Sequence, residues 1–144
     1  MKSFDYQQVP YNYGVCPSTN CPLSATCLRH IALEHAPEKP AFLPTLTPAA
    51  LKAIKGDCKY YRPNTPIQYA KGFLNLINSL EVGTSGIFRS RPISYFGRKN
   101  YYLARKGELP IHPKDQQYII QLAKQLKVEK EEYFDSYFDG YDWR

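Results

Sequence analysis

Cys16-Pro-Ser-Thr-Asn-Cys21-Pro-Leu-Ser-Ala-Thr-Cys27 carries three of the four cysteines in this 144-residue chain, and the fourth follows at Cys58. Four thiolates complete the coordination sphere of a zinc ion or of an iron–sulfur cluster. The spacing is C-x4-C-x5-C-x30-C, not a pair of tight C-x2-C knuckles. The surrounding residues 1–26 hold Pro10, Gly14, Pro17 and Pro22 among Asn and Ser. Such a segment builds little hydrogen-bonded structure of its own and needs an external staple. Convergence of Cys16, Cys21, Cys27 and Cys58 on a metal would supply one.

The chain begins Met-Lys-Ser-Phe-Asp-Tyr-Gln-Gln, with no apolar run of a secretory signal. No stretch approaches the roughly 20 apolar residues that span a bilayer. A cytoplasmic location is therefore expected, with no membrane association. In that compartment clustered cysteines bind metal more often than they form disulfides. Structural zinc is the preferred cofactor. An iron–sulfur cluster and buried free thiols without metal are the alternatives. His30, one turn after Cys27, competes with Cys58 for the fourth ligand position, and His35 is less well placed.

Working outward, the pattern turns helical. Cys27, His30, Ile31 and Glu34 share one face of a helix over about 26–35. Thr47 is a good N-cap, Pro48 fits the first helical turn and Gly56 suits a C-terminal cap, which predicts a helix from Pro48 to Lys55. Ile67, Ala70, Phe73, Leu74, Ile77 and Leu80 form a stripe that predicts a helix from Pro66 to about Leu80. Gly83 and Gly86 mark a loop. Short helices follow at Ser90–Phe96 and Arg98–Lys106, closed by Gly107, and another starts at Pro113. A last amphipathic stretch carries Tyr133, Phe134, Tyr137 and Phe138. The expected fold class is mainly α: a small helical domain with an irregular, cysteine-rich N-terminal lobe (residues 1–62) and a helical C-terminal part (residues 63–144).

The net charge of +6 is uneven. Residues 129–144 hold six acidic and two basic residues, whereas 87–106 hold six basic residues and no acidic one. A local positive field attracts polyanions. The stretch from Ser90 to Gly107 resembles the helix-turn-helix of the lambda-repressor/Cro-like DNA-binding class, and Gln121–Val128 with Glu132-Tyr-Phe134 resembles its last helices. Lys127 stands where that class carries a glycine. The resemblance implies that Arg98, Lys99, Asn100 and Tyr101 open a recognition helix facing base edges. It implies phosphate contacts for Arg89, Arg91, Arg105 and Lys106.

Nothing in the sequence assigns catalytic residues. The histidines number three, and no zincin, nucleophile-elbow, P-loop or dinucleotide signature is present. The preferred function is a nonenzymatic nucleic-acid-binding (DNA or RNA) or regulatory module with a structural metal. The alternatives are a protein–protein adaptor using the aromatic C-terminal face, and a small iron–sulfur or redox protein. Over residues 4–135 the chain also resembles an uncharacterised bacterial family described only as a domain of unknown function. The residues carrying that likeness are Cys16-Pro, Cys21-Pro-Leu, Cys27-Leu-Arg, Gly56-Asp-Cys58-Lys-Tyr-Tyr-Arg62, Phe96-Gly-Arg, Tyr101-Tyr102 and Arg105-Lys-Gly107-Glu. It implies bacterial origin and a shared fold, and no activity.

Overall fold

In the computed structural model, which describes residues 3–144, the chain divides into two compact units. One takes the residues up to Thr65 together with Tyr141–Arg144, and the other is Pro66–Gly140. The first contains short 3-10 turns at Tyr6–Gln8 and Ser24–Thr26, then α1 (Leu28–Glu34) and α2 (Pro48–Lys52). The second runs β1 (Pro66–Lys71), α3 (Leu74–Asn78), α4 (Val82–Phe96), α5 (Arg98–Lys106), α6 (Pro113–Gln125) and all but the last residue of β2 (Ser136–Tyr141). Six helices and an antiparallel two-stranded sheet among the described residues make a mixed α/β architecture, not the mainly α one expected.

The sheet is where the helical reading fails, and side-chain chemistry shows why. From Pro66 to Tyr69 exposure alternates residue by residue, with Ile67 and Tyr69 turned inward. Both are strand-favouring side chains. Ile111 bridges β1, exchanging backbone hydrogen bonds with Ala70 at 3.1 and 2.9 Å. Only the end of the apolar stripe, Leu74–Asn78, is helical. At the other strand, the Tyr69 and Phe138 rings stack with centroids 5.3 Å apart. Gly140 lies under Tyr69, where a Cβ would approach the ring to 3.1 Å. The amphipathic helix expected over Tyr133–Phe138 is thus replaced by β2, and so is the final helix that the helix-turn-helix likeness implied.

Gly72 joins β1 to α3 at φ +75°, and a Cβ there would lie 2.7 Å from Asp135 Oδ2. That carboxylate caps α3, accepting hydrogen bonds from the Leu74 and Asn75 N–H groups at 3.0 and 3.1 Å. The Asp135 N–H in turn donates to the Gly72 carbonyl at 2.9 Å. Gly72→Ala is expected to cost about 2–3 kcal/mol, from the left-handed backbone plus the displaced cap. Chemical denaturation would measure it, and Asp135→Ala should recover only the steric part of that loss.

Helix α4 absorbs Gly83 and Gly86, which read as loop residues, and extends upstream of Ser90. Burial of Phe88 and Pro92 outweighs the weak helical propensity of its first turns. Gly97, at φ +84°, separates α4 from α5, and Gly107 at φ +87° closes α5 as expected. His112 caps α6, its Nδ1 accepting from the Lys114 N–H at 3.1 Å. The far end of α6 is a Schellman turn: Val128 N–H donates to the Ala123 carbonyl at 2.8 Å, and Lys127 sits at φ +60°. A lysine therefore occupies a left-handed position that favours glycine. Lys127→Gly is expected to raise stability by about 0.5–1 kcal/mol, read as an increased denaturation midpoint.

The core of this unit centres on Phe73, Phe88, Tyr101, Ile111, Ile119 and Leu122. The first unit buries far less, with Val15, Cys27, Leu28 and Ala32 its buried apolar residues. Rings of Phe4, Tyr13, Tyr141 and Trp143 pack together beside them, Tyr13 and Trp143 edge to face at 5.0 Å. Among the described residues no helix is long and apolar enough to cross a membrane.

Candidate functional site

Each cysteine is placed by a different local device. Cys16 follows Val15, which pairs with the segment around Thr45, and the Cys16 N–H donates to the Arg29 carbonyl at 3.1 Å. Cys21 opens a turn in which its carbonyl accepts from the Ser24 N–H. Cys27 is the N-cap residue of α1 and is buried, and its side chain makes no capping hydrogen bond. Cys58 opens a second turn, its carbonyl accepting from the Tyr61 N–H. All four are free thiols, and all four line one cavity of about 520 Å³ within the N-terminal unit.

His30 also lines that cavity, but both of its ring nitrogens are engaged. Nδ1 lies 3.1 Å from the Cys16 carbonyl and Nε2 lies 3.1 Å from Glu34 Oε1. The competition for a fourth ligand position therefore favours Cys58. His35 is held elsewhere, its Nδ1 against the Ile31 carbonyl and its ring against Phe4. Among the described residues no three His, Cys, Asp or Glu side chains converge closely enough to hold a metal ion.

Sequence reasoning passed over Arg29. Its Nε donates to the Tyr60 carbonyl at 2.8 Å and its Nη1 to the Gly14 carbonyl at 2.7 Å. The guanidinium also lies 4.8 Å from the Tyr13 ring centroid. Burial pushes the Tyr13 hydroxyl pKa up, while Arg29 and Arg62 pull against that shift. One side chain thus ties the segment entering Cys16 to the segment leaving Cys58. The available signal was a cation directly after the apolar Cys27-Leu28 pair, at the start of a helix. Arg29→Met is expected to cost about 3 kcal/mol, since two part-buried charge-assisted hydrogen bonds are lost. Thermal melts of the variant would show it.

In the C-terminal unit the basic residues divide by face. Arg89, Arg91, Arg98, Lys99, Asn100 and Lys106 are exposed, and Arg105 is half-buried. Tyr101 is 1% exposed, with its ring 6.0 Å from Phe73 in the core, so it cannot reach a base edge. Its neighbour Tyr102 is half-buried at the edge of the core. Arg91 turns to another side of α4, where it lines a shallow depression with Ser90, Ser94, Tyr95 and Tyr118.

No match was found among curated proteins or among solved structures. A family model described as a family of unknown function (DUF6078) matches residues 1–143, and this chain belongs to that family.

Proposed function

We propose that the N-terminal unit is an iron–sulfur cluster module, with Cys16, Cys21, Cys27 and Cys58 as the four ligands and a structural role for the cluster. The observation that carries this reading is that every cysteine of the chain lines one cavity, from positions in two turns, at a helix cap and beside a strand-like bridge. A single zinc ion needs four sulfurs about 3.8 Å apart around Zn–S bonds of about 2.3 Å. No three ligand side chains among the described residues lie close enough together for one ion, whereas the cysteines of a cluster stand farther apart, around several irons. Four cysteine ligands leave no open position for a substrate, so the reading is not catalytic. The poverty of buried apolar groups in this unit supports a stabilising role, because small cores depend on such staples.

Purification without air, followed by iron, zinc and acid-labile sulfide analysis, tests the proposal. The expected result is a brown protein with about two to four irons and as many sulfides per chain. One equivalent of zinc without sulfide would replace the cluster with a mononuclear site. Less than about half an equivalent of any metal in soluble protein would remove the coordination reading altogether.

A further inference from the structure

We propose that the face of α5 centred on Tyr102, joined by Arg89 from α4, binds the phosphate backbone of a nucleic acid. Arg89 Nη2 donates to the Tyr102 hydroxyl at 3.0 Å. The Arg105 guanidinium carbon lies 5.2 Å from the Tyr102 ring centroid, and its Nε is buried without a protein partner. Arg98 and Lys106 stand four residues before and four after Tyr102, which places them on the same helical face. None of these four cations forms an ion pair with a carboxylate among the described residues.

The spacing selects the ligand. Arg98 and Lys106 are about 12 Å apart along the helix axis, at about 1.5 Å per residue. That is too far to share one phosphate, so the row suits a chain of phosphates. Guanidinium groups offer forked donors matched to phosphate oxygens, and Tyr102 holds two of them in place. An anionic bilayer fits less well. Binding at a membrane surface needs large apolar side chains on the docking face, and none of the strongly exposed hydrophobic residues belongs to α5.

The full chain, purified without air, would be titrated into a labelled mixed-sequence DNA duplex and a labelled RNA hairpin at several salt concentrations. Binding to at least one is expected, with a slope of log affinity against log salt near −3 for three to four neutralised phosphates. The combined variant Arg89→Gln, Arg98→Gln, Lys106→Gln removes exposed charges only. It is expected to weaken binding at least about tenfold and to flatten the slope by two units or more. Arg91→Gln, on the opposite side of α4 from Arg89, should leave both unchanged. The proposal is overturned by no binding at micromolar protein in about 50 mM salt. It is equally overturned by a triple variant with an unaltered slope, or by attachment to phosphatidylserine vesicles in place of either nucleic acid.

Discussion

Cys27→Ser is expected to destabilise the N-terminal unit by about 4 kcal/mol or more, the range reached when a structural metal centre is lost. The substitution is informative because its sign depends on what the thiol does. Cys27 occupies the N-cap of α1, and its sulfur makes no capping hydrogen bond. Its carbonyl already accepts from the His30 and Ile31 N–H groups at 3.1 and 2.9 Å, so the helix start is formed by backbone alone. Serine is nearly isosteric and is among the best N-cap residues, which adds about 0.5–2 kcal/mol to a helix. A thiol that merely fills space should therefore tolerate serine with little change. A thiol that ligates a cluster should not, because a serine hydroxyl is a poor replacement for a thiolate and cofactor binding is folding free energy. Thermal melts of the two proteins, side by side and without air, separate the cases. A variant that melts at or above the parent temperature would remove the ligand role of Cys27.

Phe73→Ala is expected to cost about 3–5 kcal/mol, enough to leave the C-terminal unit marginal or unfolded. Phe73 is fully buried, with ring centroids 6.4 Å from Phe88 and 6.0 Å from Tyr101. It also follows the Gly72 turn and donates its N–H to the Arg105 carbonyl at 3.1 Å, which fastens the start of α3 to the end of α5. Removing the ring leaves a cavity walled by two other aromatic side chains. These cannot collapse into it without pulling α4 and α5 from their hydrogen-bonded positions. Urea denaturation followed by tyrosine fluorescence would give the loss. A cost below about 1 kcal/mol would mean that the surrounding helices repack freely, contrary to the close packing of protein interiors.

The residues legible in advance were those governed by local chemistry. Thr47 caps α2 as expected, its Oγ1 accepting from the Ala50 N–H at 3.1 Å. Pro113 opens α6, and Gly97 and Gly107 bound α5. The four cysteines were expected to converge on a metal; they line one cavity, but among the described residues no three ligand side chains come close enough to hold a metal ion. What escaped was decided by partners far along the chain. The stripe from Ile67 to Leu80 is apolar at helical spacing, yet Tyr69 finds Phe138 and Ala70 finds Ile111, and the first half becomes a strand. The aromatic tail reads as a helix until the small Gly140 proves to be a seat for the Tyr69 ring. Composition marked the basic segment, and Arg89, Arg91, Arg98, Lys99, Asn100 and Lys106 are exposed whereas Arg105 is half-buried. Only burial distinguishes Tyr101 in the core from the half-buried Tyr102 at its edge, because adjacent helical residues differ by a rotation that single-residue chemistry does not reveal.

Trp143 packs its ring against Phe4 and Tyr13, residues 139 and 130 positions earlier in the sequence. During translation those early aromatics leave the ribosome on the order of ten seconds before their tryptophan partner, at 5–20 residues per second. The Cys-bearing half therefore waits, unfinished, while the later helices are still being made. Its aromatic cluster closes only once Trp143 has emerged.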